Sequence, residues 1–134
     1  MNAMPPQPPD AEVTERALRE DLAAAYRLIA RFGMDDLIYN HISARVPGEE
    51  EHFLINPYGL LFREITASSL VKIDLDGGRV GPGDSQGEGE VNRAGFVIHA
   101  AIHRARPEAN CVLHTHSDAA TAVSALEEGL LPAA

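Results

Sequence analysis

The spacing of the apolar residues changes near Gly33, and this change constrains the fold more than any other feature of the sequence. Between residues 11 and 32, apolar residues recur at helical spacing on one face, with charged residues on the other. Gly33 suits a helix C-cap, and the apolar runs after it are only long enough for strands. A second helical segment, another short run and a last helical segment follow. This order predicts an α/β layered domain.

The bounds of each element follow from the apolar spacing and from the flanking cap and turn residues. The predicted elements are a helix over 11–32, strands over 41–46, 52–56 and 70–75, a helix over 93–105, a buried strand over 111–116 and a helix over 118–128. Asp10, Asn92 and Ser117 are predicted to be the three helix N-caps, because their side chains can accept hydrogen bonds from free backbone N–H groups.

The length and composition of the chain suit one domain. It has 134 residues, of which 45% are hydrophobic, and this is enough for a folded core. Residues 1–10 are rich in proline and are predicted to form a flexible tail, so the domain spans 11–134. The glycine-rich stretch 81–90 is predicted to be a mobile surface loop. Residues 130–134 resemble the approach to a further strand, which predicts that the domain is incomplete at its C-terminus.

Charge and cysteine content limit the classes of partner. The net charge is −9, from 20 acidic and 11 basic residues, which argues against nucleic acid because phosphate binding needs clustered Lys and Arg. No apolar run approaches the roughly 20 residues that a membrane span requires. The single cysteine, Cys111, cannot form an internal disulfide and is expected to pack as a small hydrophobe. A reducing compartment fits, so a cytoplasmic protein is expected.

The sequence His114-Thr115-His116 carries the strongest chemical signal. Residues two apart on a strand project to the same side, so both imidazoles can reach one metal ion. The pair also ends a predicted strand just before a helix N-terminus, where α/β sheets place their ligands. The alternative is that both are surface or hydrogen-bonded histidines. A functional metal site needs at least a third protein ligand.

Four residues of the chain are candidates for that third ligand: His41, His99, His103 and Glu90. His99 and His103 are spaced i, i+4 and therefore share a helix face. No glutamate accompanies them in the pattern of a metal-binding helix. Packing of the helix and surface exposure therefore explain these two histidines better than metal binding does.

Several separate motifs, in the same order along the chain, resemble the class II aldolase/adducin family. The longest is the run from Asn92 to His116, and residues 123–126 and 129–132 after it are similar to the same family. Upstream, residues 40–45, 56–62 and 65–70 are closest to its adducin-like branch. The resemblance covers about residues 15–134 and corresponds to the N-terminal part of the family's domain.

The resemblance implies a fold, an assembly and a cofactor. The fold is a three-layer α/β/α sandwich around a mixed, largely antiparallel sheet, and the assembly is a homo-oligomer, with a tetramer expected. The cofactor is a divalent metal, with zinc the first choice, held by three histidines. Two of these correspond to His114 and His116, and the third is expected beyond Ala134. In the family's sugar-phosphate aldolases the metal stabilises an enediolate as a Lewis acid.

The chain departs from the family pattern at the position of the catalytic glutamate, which is occupied by Gly95. Glycine can neither move a proton nor ligate the metal. Glu88 or Glu90, in the predicted loop just upstream, is a weak candidate to replace that acid/base. The ordinary alternative is a solvated acidic loop.

The family's substrate-binding positions are only partly retained. Its phosphate-binding serines fall at Arg93 and Ala94, an asparagine falls at His41 and a threonine at Tyr58, whereas Ser43 and Gly59 are kept. The residues expected to bind substrate are therefore His41, Ser43, Tyr58, Gly59 and Arg93. A guanidinium can pair with phosphate or carboxylate, but Arg93 is equally explained as an exposed residue of a first helical turn.

These observations leave three functional hypotheses. The first is a metal-dependent lyase that cleaves a small hydroxy-carbonyl compound other than the standard phosphorylated sugars. The second is a non-catalytic binding or scaffold protein of the cytoskeletal, adducin type, which Gly95 favours. The third is a metal-assisted decarboxylase or epimerase, since all three reactions stabilise an enolate-type intermediate. The His-x-His pair supports metal binding in each case.

Overall fold

The computed structural model describes residues 14–81 and 90–130. The predicted tail 1–10, residues 11–13, residues 82–89 of the predicted loop, and residues 131–134 lie outside them. The described elements are α1 (Glu15–Arg31), β1 (His41–Arg45), β2 (His52–Ile55), β3 (Val71–Asp74), α2 (Arg93–Ala105), β4 (Cys111–His114) and α3 (Asp118–Ser124). A 3-10 turn, Phe62–Glu64, lies between β2 and β3. The strands form one sheet in the order β3-β2-β1-β4, and each neighbouring pair is antiparallel.

Helices α1 and α2 cover opposite faces of the sheet. Successive side chains of a strand alternate between the two faces, so each face presents apolar residues to one helix. The core under α1 includes Leu22, Tyr26, Ile42, Ala44 and Leu54. The core under α2 includes Phe53, Ile55, Val71, Ile73 and Ala100. The predicted α/β/α arrangement is thereby confirmed. The strand β1 places Ile42 and Ala44 toward α1, so His41, Ser43 and Arg45 face α2.

Local cap signals placed two of the three helix starts correctly. The side chain of Asn92 accepts hydrogen bonds from the first turn of α2, and that of Ser117 does so for α3. The predicted cap Asp10 lies outside the described residues, within which α1 begins at Glu15 and Thr14 caps it by accepting a hydrogen bond from Ala17 N at 3.2 Å. The helix predicted over 118–128 ends at Ser124, since turns occupy the residues that follow.

The strand β4 is more exposed than its apolar sequence predicted. Leu113 is 51% exposed, and Cys111, expected to pack as a small hydrophobe, is exposed as well. Within the described residues, β4 lies at the edge of the sheet and pairs only with β1. The prediction of a buried strand was wrong because an apolar run does not reveal whether neighbours lie on both sides of it.

The first helix is amphipathic rather than apolar throughout. Leu22, Ala23 and Tyr26 are buried, whereas Arg16 and Glu20 form an exposed ion pair at 3.1 Å. Among the helices in the described part of the chain, none has the length and apolar character needed to cross a bilayer.

Candidate metal centre and histidine network

His114 and His116 direct ring nitrogens at each other. Their Nε2 atoms are 2.9 Å apart, and the ring planes are nearly perpendicular, at 80°. Strand β4 ends at His114, so strand alternation alone does not place His116. The position of His116 is instead fixed by a hydrogen bond from its backbone N–H to the carbonyl oxygen of Met34, at 3.1 Å. Two imidazole nitrogens that converge in this way can contact one ion.

Asp36 determines which nitrogen of His116 faces His114. Its Oδ2 lies 3.1 Å from Nδ1 of His116. An ionised carboxylate only accepts hydrogen bonds, so Nδ1 carries the proton and Nε2 of the neutral ring keeps its lone pair. Carboxylates commonly orient metal-binding histidines in this manner. Sequence reasoning missed Asp36, because it lies 80 residues before His116 and no local pattern connects the two.

His41 lies beside His114 because β1 and β4 pair with these two residues directly opposite each other. Their rings stack with centroids 4.8 Å apart and an interplanar angle of 16°. His41 is 4% exposed. Burial, followed by repulsion from the neighbouring imidazoles of His114 and His116, lowers the pKa of His41 to about 4. The ring is therefore neutral at neutral pH.

A chain of hydrogen bonds runs from His41 into the space between β1 and α2. Nδ1 of His41 lies 2.8 Å from Nε2 of His99, and Nδ1 of His99 lies 2.6 Å from Oγ of Ser43. The same Oγ lies 2.8 Å from Nε2 of His103. The chain forms because His99 and His103 share a face of α2, while His41 and Ser43 share a face of β1.

The two histidines of α2 are core residues. His99 and His103 are 0% and 1% exposed, so the expected role in helix packing is confirmed and the expected surface exposure is wrong. Burial, followed by repulsion from His41 and the other nearby imidazoles, lowers the pKa of His99 to about 3. Burial and the charge of Arg45 lower the pKa of His103. Sequence spacing placed both rings on one face but did not identify their partners on β1.

Gly95 lies against the ring of His41, and this close contact leaves no space for a side chain at position 95. A Cβ at position 95 would lie 2.6 Å from Cδ2 of His41 and 2.9 Å from Cγ, closer than side-chain atoms can approach. The His41 ring therefore takes the space that a side chain at position 95 would need. The sequence identified both residues as departures from the family pattern, but it did not show that they are in contact.

Among the described residues, no hydrogen bond joins the remaining predicted site residues to this network. Glu90 and Arg93 line a separate surface cavity of about 420 Å³ together with Phe96. Tyr58 is 50% exposed, and its backbone N–H donates to the carbonyl oxygen of Glu90. Gly59 adopts a positive φ of 94°, which suits glycine in the turn after Tyr58. Their roles in substrate binding stay predictions, and Glu88 lies outside the described residues.

Comparison with known proteins assigns the chain to a family. The family model described as "Class II Aldolase and Adducin N-terminal domain" matches residues 20–134. The chain belongs to the class II aldolase and adducin family. This confirms the resemblance drawn from the motifs between residues 40 and 132.

Individual members of the class II aldolase and adducin family give the same result. A protein of Caulobacter vibrioides with an aldolase class 2 name is 59% identical over 114 residues, covering 85% of this chain and 43% of that relative. Alpha-adducin of Rattus norvegicus is 57% identical over 118 residues, covering 88% of this chain and 16% of the relative.

A solved structure supports the same fold. The structure of L-fuculose 1-phosphate aldolase from Glaciozyma antarctica matches with a TM-score of 0.77 at 39% identity, covering 87% of this chain and 48% of that chain. The present chain thus spans less than half the length of each of these three family members.

Proposed function

We propose that this chain supplies His114 and His116 to a divalent-metal site that polarises the oxygen atoms of a small hydroxy-carbonyl substrate. The observation that carries the proposal is the 2.9 Å approach of the two Nε2 atoms. The contact between Asp36 and the other nitrogen of His116 supports it, because that contact leaves Nε2 free for an ion. Zinc is the preferred ion, since imidazole nitrogen is one of its usual ligands.

The donor set fits such an ion but is one ligand short within the described residues. No cluster of three or more His, Cys, Asp or Glu side chains arranged to hold an ion occurs among them. A catalytic zinc site uses three protein ligands, so the proposal includes a third histidine from beyond Ala134, as the family resemblance implies. A bound ion would act there as a Lewis acid toward the substrate's carbonyl and hydroxyl oxygens.

The residues beside the metal pair set a limit on the rate of this chemistry. Gly95 stands where the family's aldolases carry their acid/base glutamate, and a positioned acid or base contributes about 10²–10⁴ to the rate. Lyase activity is therefore expected to be slower by about this factor than with the glutamate present.

Activity is best tested with zinc-loaded full-length protein and a panel of hydroxy-carbonyl compounds, both phosphorylated and unphosphorylated. The likeness to an L-fuculose 1-phosphate aldolase supports carbon–carbon cleavage as the reaction to assay. The released aldehyde is measured with a coupled dehydrogenase, and His114→Ala is the control. We expect wild type to exceed the variant on at least one compound. The same background from both proteins would refute the lyase proposal.

A non-catalytic scaffold is the second candidate, and two observations favour it. The chain is 57% identical to rat alpha-adducin over 118 residues. The close fit of Gly95 against His41 also leaves no room for the acid/base side chain. In the same assay, zinc binding without turnover above the His114→Ala background would favour this candidate.

Replacing Asp36 with asparagine is expected to weaken zinc binding by about 10–100-fold, the usual effect of losing a partner that orients a metal ligand. The amide can donate to Nδ1 of His116, and it then no longer holds the proton on that nitrogen. Isothermal titration with zinc measures the change. Asp35→Asn makes the same charge change on the neighbouring residue and should bind like wild type. Equal affinities for both variants would contradict the role of Asp36.

A further inference from the structure

We infer that the buried hydrogen-bond chain from Ala109 to His41 holds His41 as its Nδ1–H tautomer, with the Nε2 lone pair open to the site, so that His41 selects a substrate hydroxyl rather than a phosphate. The tautomer follows from the packing of β1 against α2. The choice of substrate group rests in addition on the proposed function.

The donor-to-acceptor direction of the hydrogen-bond chain is set at His103, beside Ala109. Nδ1 of His103 lies 3.1 Å from the carbonyl oxygen of Ala109. A carbonyl oxygen can only accept, so Nδ1 must carry the proton, and Nε2 of the neutral ring is then an acceptor. Nη2 of Arg45 lies 3.3 Å from the same Nδ1, but it lies only 2.7 Å from the carbonyl oxygen of His103 and donates there.

Each group then determines whether the next atom of the hydrogen-bond chain donates or accepts. The hydroxyl of Ser43 donates to Nε2 of His103 at 2.8 Å, and its oxygen accepts from Nδ1–H of His99 at 2.6 Å. Nε2 of His99 is therefore an acceptor, and it takes the proton of His41 Nδ1 at 2.8 Å. Because His41, His99 and His103 are 4%, 0% and 1% exposed, burial keeps them neutral, with one ring proton each.

The second nitrogen of His41 has no hydrogen-bond partner within the described part of the chain, yet it is not among the fully buried atoms. Among the described residues, the buried side-chain polar atoms that lack a partner are Asn40 Nδ2 and Arg45 Nε. Nε2 of His41 is not one of them, although its ring makes its hydrogen bond through Nδ1. It therefore lies within reach of solvent or a ligand, on a ring that stacks against His114.

A lone pair at this place discriminates between substrate groups. An imidazole nitrogen without a proton accepts a hydrogen bond from a hydroxyl, whereas it faces an ionised phosphate oxygen lone pair to lone pair. A site that leaves a polar group unpaired with the wrong ligand rejects that ligand strongly. The substrate class that fits is therefore an unphosphorylated hydroxy-carbonyl compound with a hydroxyl directed at His41.

The tautomers can be read directly from long-range ¹H–¹⁵N correlation spectra of ¹⁵N-labelled full-length protein, free of metal, at neutral pH. We expect His41, His99 and His103 all to show a proton on Nδ1 and none on Nε2. A proton on Nε2 of any of the three overturns the assignment. This readout involves neither substrate nor metal, so it can fail or succeed independently of the proposed function.

Variants at Ser43 test whether the hydrogen-bond chain, rather than the local surroundings of His41, fixes the tautomer of His41. Ser43→Ala removes the link between His99 and His103, and we expect His41 to become a mixture of tautomers. Ser43→Thr retains the hydroxyl and should restore the single Nδ1–H form. If His41 stays wholly in the Nδ1–H form in a folded Ser43→Ala protein, the hydrogen-bond chain does not fix its tautomer. The wild-type spectrum remains decisive if Ser43→Ala does not fold.

The selection of a hydroxyl is tested on the same Nε2 resonance with zinc-loaded protein. Dihydroxyacetone is expected to shift it, and methyl phosphate at the same concentration and about pH 8, where the monoester carries no O–H donor, is not. A shift with methyl phosphate alone overturns the proposed selectivity. No shift with either probe overturns the recognition role of His41, and a preserved tautomer pattern would then locate the failure in the proposed function.

Discussion

The Gly95→Glu variant is expected to lose about 1–3 kcal/mol of unfolding free energy from overpacking alone. The Cβ of any residue at position 95 would lie 2.6 Å from Cδ2 of His41. The His41 ring cannot easily move aside, because it is hydrogen-bonded to His99 and stacked on His114. Helix propensity favours glutamate over glycine by less than about 1 kcal/mol, so the clash should dominate. Urea denaturation of the full-length variant and wild type measures the difference.

Two further variants separate the contact with His41 from other effects. Ala94→Glu places the same side chain on the exposed neighbouring position and should change stability by no more than about 0.5 kcal/mol. His41→Asn combined with Gly95→Glu should cost less than the two single changes together, with a coupling of about 0.5–3 kcal/mol. Additive single and double variants would show that the two positions do not compete for the same space.

Acidification from pH 7 to pH 5 is expected to lower the unfolding free energy by about 2 kcal/mol through His99 alone. The pKa of His99 is about 3 in the folded protein, because the ring is fully buried, and about 6.5 in the unfolded chain. Between these values the unfolded state binds the extra proton. The stabilisation is therefore complete above the unfolded pKa and is lost as pH falls toward the folded pKa.

Urea denaturation at a series of pH values between 7 and 5 measures this loss. His99→Gln, which can still hydrogen-bond but does not titrate in this range, is the matched control and should show a shallower dependence. The lowered pKa of the Glu15 carboxylate does not interfere, because its linked stabilisation is lost only at lower pH, near the ordinary glutamate range. Identical slopes for wild type and variant would contradict a neutral, buried His99.

Local signals in the sequence predicted most elements of the fold. The caps Asn92 and Ser117 were readable because capping involves residues only two or three positions apart. The alternation along β1 was equally local, and it gives one apolar face and one face carrying His41 and Ser43. The pair His114 and His116 was found for the same reason, since the two histidines are near neighbours in the chain.

The sequence did not reveal features that depend on distant segments meeting. Asp36 bonds to His116 across 80 positions, and His41 bonds to His99 across 58. Whether β4 would be buried depended on its place at the sheet edge. The steric contact between Gly95 and His41 arises only when α2 packs over β1. The sequence therefore could not show that these two departures from the family pattern depend on each other.

The most direct test of the central claim is the zinc content of the full-length protein after equilibrium dialysis with excess zinc and washing. The convergence of His114 and His116 predicts about one zinc per chain in wild type and almost none in His114→Ala. His52→Ala, which removes an imidazole outside the network, should retain the wild-type content. Equal zinc in wild type and His114→Ala would contradict the proposed metal site.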